Sequence, residues 1–158
     1  MPHAHPQQSS WAIRRAEDRD IPQLLEMIAQ LARFHGDEPA ATAADLRRDL
    51  LGPAPWITVF LAETDGSAIG YAALCPRMKL QFGVRGMELH HLFVFPEWRG
   101  TGVGRCLILH AADAARAQQA SVLTVGTMTD NHAAQAAYLA LGFTPLERAQ
   151  GPRFSLQL

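Results

Sequence analysis

The chain has 158 residues, of which 48% are hydrophobic, and a formal net charge of −1 at pH 7. This length and composition are typical of a globular protein with a substantial core, and we predict one domain over residues 11–158 after a disordered N-terminal segment, residues 1–10. Clustered Lys and Arg, apolar runs of about 18 residues and a signal-peptide pattern are all missing from the sequence. We therefore expect a cytoplasmic protein that binds neither nucleic acid nor membranes.

The N-terminal third predicts one strand and two helices. Residues 11–14 form a short β-branched and aromatic strand pattern. Apolar residues recur at steps of three and four over residues 21–34, which predicts a helix, and Gly36 supplies its stop. Thr42 and Asp45 resemble a capping box and predict the start of a second, shorter helix.

The rest of the chain predicts a sheet with helices on it. Residues 56–63 and 68–76 flank Asp65-Gly66 and predict a hairpin. A strand is predicted over residues 87–95, a helix from residue 102 to about residue 119, a strand over residues 121–127 and a helix over residues 132–141. Residues 143–147 and 153–158 alternate and predict a final antiparallel pair. This order indicates a mixed α/β fold around one sheet.

A glycine-rich turn joins the strand 87–95 to the helix that follows. Its sequence from Arg99 to Arg105 is RGTGVGR, in which glycines alternate with other residues where the helix begins. The first N–H groups of a helix lack partners inside the helix, and the helix dipole adds roughly half a positive charge there, so such a turn binds phosphates. No Gly-Lys-Ser/Thr follows, which argues against a nucleotide-triphosphate loop, and the mid-chain position argues against a dinucleotide-binding unit.

Two motifs resemble those of one known family. Arg-x-x-Gly-x-Gly after a strand resembles the pyrophosphate-binding signature of the GCN5-related N-acetyltransferases (GNAT), and Asn131 with residues 137–143 resembles their second motif. The resemblance implies an α/β fold of GNAT type, with a mixed, mostly antiparallel central sheet flanked by helices, and acetyl-CoA as co-substrate. It implies that the acetyl-CoA contacts are Leu92, Phe93, Val94, Arg99, Gly100, Thr101, Gly102, Val103, Gly104, Arg105 and Asn131.

Within that family the chain resembles the diamine (spermidine/spermine) N-acetyltransferase branch. The similarity runs from about Ile13 to Leu146, and its N-terminal half rests on residues 13–16, 28–34 and 42–46. Where that branch has an adjacent Glu-Asp pair, this chain has His90-His91, which removes the carboxylates that attract a polycation. The resemblance therefore implies transfer to a primary amine of a small molecule, either a polyamine or diamine or an amino-acid-like amine, and a homodimer.

Amine acetylation needs a base, and His90 is our candidate. An alkyl ammonium titrates near pH 10.4, and a histidine near 6.5 is poised to remove its proton at neutral pH. A half-buried histidine bonded to a neighbouring carbonyl is the alternative, as is a water acting as the base. Adjacent strand residues point to opposite faces, so His90 and His91 do not share one substrate or metal unless a bulge separates them, and we expect no metal site.

The leaving thiolate needs a proton, and Tyr138 matches the tyrosine general acid of the family. The alternative is a packed tyrosine with a satisfied hydroxyl. Asn131 is either an acetyl-CoA contact or the N-cap of the next helix, or both. The resemblance assigns the thioester carbonyl to main-chain N–H groups of residues 92–94. A peptide or protein N-acetyltransferase and a catalytically silent acetyl-CoA-binding module stay open as alternative functions.

Overall fold

The computed structural model describes residues 10–146, 152 and 154–158, so the predicted disordered segment lies outside the described residues except for Ser10. The elements, in chain order, are β1 (Ala12–Arg15), α1 (Ile21–Phe34), α2 (Ala43–Leu46), β2 (Thr58–Thr64), β3 (Ser67–Lys79), β4 (Val84–Val94), α3 (Val103–Ala117), β5 (Val122–Val125) and α4 (His132–Ala140). The chain divides into two compact units, one ending at Gly126 and the other beginning at Thr127.

The first unit is built on a five-stranded sheet. Its strands follow in the order β1-β2-β3-β4-β5, so each strand pairs with its neighbour in sequence. The first four strands are antiparallel, and β5 pairs with β4 in parallel after the crossover through α3. The predicted mixed, mostly antiparallel sheet with flanking helices is confirmed.

Helices cover both faces of this sheet. One face packs against α1, and the buried side chains of that cluster include Ile21, Leu24, Met27 and Leu31 from the helix and Val59, Leu61, Tyr71, Ala73 and Phe93 from the strands. The opposite face carries α3, whose buried side chains are Val103, Leu107, Ile108, Ala111 and Ala115. Full burial of one large aliphatic side chain contributes about 1.5–3 kcal/mol, so these two layers account for much of the stability.

Most of the predicted local structure is present. The helix 21–34 has the predicted bounds. Thr42 and Asp45 form the capping box, with Thr42 N–H donating to Asp45 Oδ2 at 3.0 Å and Asp45 N–H donating to Thr42 Oγ1 at 3.2 Å. The hairpin between β2 and β3 turns at Asp65 and Gly66, whose φ angles are 48° and 75°. Positive φ at both central residues is the signature of the tight turn that Asp-Gly favours.

An ion-pair cluster joins β1, β2 and the start of α1. Arg14 donates from Nη1 and Nη2 to the two carboxylate oxygens of Asp20 at 2.7 and 2.8 Å, and it also binds Glu63 on β2. Asp20 is buried, and the hydrogen bonds from Arg14 hold its pKa below the ordinary value. A buried carboxylate needs such a partner, so this cluster fixes the entry into α1 against the sheet.

The second unit contains α4. The predicted final antiparallel pair is wrong for its described residues, because no strand is assigned over residues 143–146 or 154–158; Glu147 and Arg153 lie outside the described residues. Leu146 and Phe154 are exposed, so the alternation there does not correspond to a buried sheet face. None of the helices in the described part of the chain is long and apolar enough to cross a membrane.

Candidate active site

A β-bulge in β4 creates the first feature of the site. In the pairing with β3, Ala73 is opposite His91 and Leu74 is opposite Leu89, so His90 is the extra residue on β4. An extra residue shifts the alternation by one, which brings two adjacent side chains to the same side of the sheet. The rings of His90 and His91 accordingly stack, with centroids 4.3 Å apart and planes at 11°. The sequence predicts opposite faces for these histidines unless a bulge separates them, and the structure has that bulge.

The two histidines differ in environment. His90 is exposed, whereas His91 is half-buried and its Nδ1 lies 3.0 Å from the hydroxyl of Tyr71 on β3. Burial, together with smaller contributions from the nearby charges of His90 and His35, lowers the pKa of His91 to about 4. Burial also raises the pKa of Tyr71, whose side chain is fully buried. At neutral pH the Tyr71–His91 pair is therefore uncharged.

The second feature is an edge of β4 that lacks a partner. The pairing with β5 runs from Gly86 opposite Val122 to Leu89 opposite Val125 and ends there, although β4 continues to Val94. Over residues 90–94 the side of β4 away from β3 has no strand partner among the described residues. Main-chain groups on such an edge are free to bind another molecule, and the predicted contacts Leu92, Phe93 and Val94 lie on this segment.

The third feature is the glycine-rich turn. Gly100 and Gly102 have φ angles of 74° and 96°, and α3 begins at Val103. The N–H groups of residues 100–105 have no hydrogen-bond acceptor within the described residues. The first N–H group after them that has an acceptor belongs to Cys106, which donates to Gly102 O at 3.0 Å. A Cβ added at Gly100 or Gly102 would meet no atom within 4 Å, so the space beside the turn is open. The turn therefore fits a diphosphate, because unpaired N–H donors lie beside open space.

Side chains of the turn fix its shape. Arg99 donates from Nε to the main-chain oxygen of Val94 at 2.9 Å, and the Thr101 hydroxyl donates to Trp98 O at 2.5 Å. Arg105 lies exposed in the first turn of α3. Both predicted arginines thus lie at the turn, and Arg99 also connects it to the end of β4.

The second unit carries the remaining two predicted residues. Tyr138 is half-buried on α4, its ring centroid lies 5.7 Å from that of Phe143, and its hydroxyl makes no hydrogen bond to any described residue. Burial raises the pKa of Tyr138, so the phenol is protonated at neutral pH. Asn131 Oδ1 accepts the N–H of Ala134 at 3.1 Å, so Asn131 is the N-cap of α4.

Sequence reasoning missed Tyr71. It lies in the middle of a buried, apolar stretch of β3 and has the appearance of a core aromatic residue. Only the pairing of β3 with the bulged β4 brings its hydroxyl to His91. No motif in the sequence marks that pairing, although a buried tyrosine always needs a hydrogen-bond partner and the adjacent histidines were candidates.

Comparisons with known proteins agree with these features. The family model described as "Acetyltransferase (GNAT) family" matches residues 21–143. A thialysine N-epsilon-acetyltransferase from Bos taurus is 28% identical over 149 residues, which cover 88% of this chain and 87% of the relative. The N-alpha-acetyltransferase RimI from Mycobacterium tuberculosis is 33% identical over 124 residues, covering 78% of this chain and 72% of the relative.

Solved structures of acetyltransferases are also similar to this chain. An aminoglycoside N-acetyltransferase in complex with CoA superimposes with a TM-score of 0.80 at 26% identity, covering 96% of this chain and 99% of that one. A probable acetyltransferase superimposes with a TM-score of 0.80 at 23% identity, covering 92% and 98% of the two chains, which is a likeness of fold.

Proposed function

Since the chain belongs to the acetyltransferase (GNAT) family and is an acyltransferase that uses acetyl-CoA, we propose that it transfers the acetyl group directly to a primary amine of a small molecule. The observation that carries this proposal is the similarity to the thialysine N-epsilon-acetyltransferase, which extends over nearly the full length of both chains. The acceptor is then the side-chain amine of a lysine-like amino acid or a short diamine. The aminoglycoside N-acetyltransferase neighbour, which is named for another class of small-molecule amine, supports the same acceptor type.

The histidine pair supports an acceptor of low charge. His91 is neutral at pH 7 because its pKa is about 4, and histidines stand at both positions where the resembling diamine branch has its acidic pair. A polycation needs fixed negative charge near its second amine, since each charge-assisted contact contributes about 1.5–3 kcal/mol. We therefore infer that monoamines and short diamines are better acceptors than spermine.

Acetyl-CoA supplies the acetyl group as an activated thioester. The unpartnered N–H groups of residues 100–105 and the charges of Arg99 and Arg105 would hold its diphosphate. The free edge of β4 at Leu92, Phe93 and Val94 would direct N–H donors to the carbonyl oxygen, where negative charge develops during transfer. The amide of Asn131, whose Oδ1 caps α4, would add a contact to the co-substrate.

Two side chains would move the protons. His90 is exposed at the bulge and would take a proton from the acceptor nitrogen as that nitrogen bonds to the acetyl carbon. Tyr138 would give its phenolic proton to the sulfur as the carbon–sulfur bond breaks, and the raised pKa of this phenol keeps the proton available at neutral pH. Starting from the ammonium, the nitrogen loses two protons, one before it attacks and one as the amide forms. One of them replaces the proton that Tyr138 gives to the thiolate, and the other passes through His90 to solvent, so the reaction releases one proton overall.

The test is release of coenzyme A thiol from acetyl-CoA across a panel of acceptors. The panel contains thialysine, lysine, short diamines, spermidine, spermine, an aminoglycoside and peptides with free N-termini. Turnover on the small amines, with lysine-like acceptors ahead of spermine, supports the proposal. Turnover on peptides alone would overturn it.

The peptide outcome has its own support. The N-alpha-acetyltransferase RimI is 33% identical to this chain over 124 residues, and its name specifies a different class of amine. A protein N-terminus is therefore the second candidate acceptor. The two candidates separate in the same panel, because an α-amine of a peptide titrates near 7.7–8.0 and depends less on a base than a side-chain amine near 10.4.

The homodimer and the cytoplasmic location stay predictions from the sequence. Light scattering on the purified protein measures the first directly. A mass of 17.3 kDa would identify a monomer and overturn it.

A further inference from the structure

The hydrogen bond between Tyr71 and His91 has a defined direction. Tyr71 is fully buried, and His91 Nδ1 is the only partner of its hydroxyl within the described residues. If Nδ1 carried the proton and donated it, the phenolic O–H would be left as a buried donor without an acceptor. If the phenol donates, its buried proton has an acceptor. The buried pair is therefore Tyr71 O–H to His91 Nδ1, and the proton of the neutral imidazole is on Nε2.

That bond fixes the plane of His91. A hydrogen bond to Nδ1 and the packing of Tyr71 against Phe93, with centroids 6.2 Å apart, hold the His91 ring from the buried side. The exposed ring of His90 stacks on the His91 ring, with the centroids 4.3 Å apart. His90 has no hydrogen bond to any other described side chain, so this stack is the contact that orients it.

We propose that Tyr71 and His91 are positioning residues that hold the imidazole of His90 in one orientation at the bulge of β4. The proposal rests on the proposed function, in which His90 accepts the proton of the acceptor amine. An exposed histidine samples several rotamers, and only one of them directs a ring nitrogen to a given substrate atom. A rigid neutral ring beneath it selects that rotamer without placing a second charge beside the incoming ammonium.

The charged and titratable groups around the pair are few. Tyr71 faces His91 from β3, His90 faces it from β4, and the charge of His35 reaches it from the end of α1. Each of these histidines, when protonated, opposes protonation of His91. The neutral Nε2–H form of His91 is therefore expected to persist throughout the pH range in which an amine acetyltransferase works.

The first test is spectroscopic and needs no activity. In long-range ¹H–¹⁵N spectra of uniformly labelled protein, His91 should give one neutral tautomer with the proton on Nε2, unchanged from pH 8 to about pH 5 because its pKa is about 4. Tyr71→Phe deletes the hydroxyl and retains the ring. It should convert His91 to a mixture of tautomers and shift the ring signals of His90. A wild-type His91 with the proton on Nδ1, or a His90 spectrum unchanged in Tyr71→Phe, would overturn the proposal.

The second test is kinetic and separates positioning from structural support. His91→Ala removes the ring beneath His90 and should lower kcat about tenfold with the KM for acetyl-CoA unchanged. The double variant Tyr71→Phe/His91→Phe keeps a flat ring at position 91 and leaves no buried hydroxyl unpaired, so it should recover most of that loss. Equal kcat values for His91→Ala and the double variant would overturn the proposal.

A control separates the failure of this proposal from that of the proposed function. His110→Ala removes another histidine that packs on an aromatic ring, at 4.7 Å from Phe60, on the α3 face of the sheet. It should change neither kcat nor the His90 signals. If His90→Ala itself retains the wild-type pH–rate profile, then His90 is not the base, and the spectroscopic test alone decides whether Tyr71 and His91 orient it.

Discussion

Arg99 donates from its Nε to the main-chain oxygen of Val94 at 2.9 Å, and this bond joins the glycine-rich turn to the last residue of β4. The strand end that would meet the thioester and the turn that would meet the diphosphate are thus held at a fixed separation. One side chain accounts for both the shape and part of the charge of the proposed acetyl-CoA site.

We expect Arg99→Gln to raise the KM for acetyl-CoA about tenfold, since a charge-assisted hydrogen bond contributes roughly 1.5 kcal/mol. The matched control is Arg116→Gln on α3, where Arg116 pairs only with exposed Asp113 in the described residues. Initial rates at varied acetyl-CoA measure both variants. Equal KM values in the two variants would show that Arg99 has no role in binding.

Gly102 and Gly36 form a natural pair for testing the turn. Both have positive φ, at 96° and 81°, and a Cβ at either position would meet no atom within 4 Å. Gly102→Ala and Gly36→Ala should therefore each lower the free energy of unfolding by about 1 kcal/mol through backbone strain. Only Gly102→Ala should weaken acetyl-CoA binding, because its methyl group enters the space beside the free N–H groups. Urea unfolding and calorimetric titration measure the two effects, and equal affinities would contradict the assignment.

The Arg14–Asp20 pair predicts a pH-dependent stability. Because Arg14 lowers the pKa of Asp20 in the folded state, the stabilisation is complete above the unfolded pKa of Asp, near 3.9, and is lost as the pH falls through the lower folded value. Asp20→Asn should reduce the free energy of unfolding by about 2 kcal/mol at pH 7 and flatten its decline in acid. Asp18→Asn, which removes an exposed ion pair with Arg47, should have little effect. Urea midpoints from pH 3 to pH 7 measure both, and parallel curves for Asp20→Asn and wild type would refute the prediction.

Tyr138→Phe tests the general acid. The substitution keeps the ring contact with Phe143 and removes only the hydroxyl, so the fold should be retained while kcat falls roughly 100-fold. On the alkaline side, the wild-type rate should fall as the pH rises through the pKa of Tyr138, which burial places above its usual 10.0. Rate profiles at saturating acetyl-CoA measure this. A kcat within about twofold of wild type would mean that another group, or water, protonates the thiolate.

The regular parts of the fold were predictable because each has a local cause. Helix 21–34 follows from apolar spacing, and the turn at Asp65-Gly66 follows from φ values that few other residues adopt. The C-terminal end of the fold was not predictable in this way. Alternation of apolar and polar residues shows which side chains would share a face of a strand, but it does not show whether a partner strand exists. Residues 143–146 have the pattern without a strand.

The part of the candidate site that is formed by main-chain groups was predictable from the sequence. The part that depends on how two strands pair was not. The turn at Arg99–Arg105 can be recognised in the sequence, because glycines at the start of a helix are enough to leave main-chain N–H donors unpaired. The bulge at His90 depends on how β3 aligns with β4, which no single strand encodes, and it reversed the expected direction of His91. The partner hydroxyl of Tyr71 became visible only with that alignment.

The order of the strands separates the two halves of the site along the chain. The histidine pair and the hydroxyl that binds it all lie within one antiparallel hairpin, β3 and β4, which is closed by a short turn at residues 80–83. The donor turn lies beyond it, at the start of the crossover helix. A local hairpin forms with little loop entropy and does not require the crossover. On the proposed function, substitutions at Tyr71, His90 and His91 within this hairpin are therefore expected to alter which amine is accepted, and at what pH, without changing the glycine-rich turn that would hold the diphosphate.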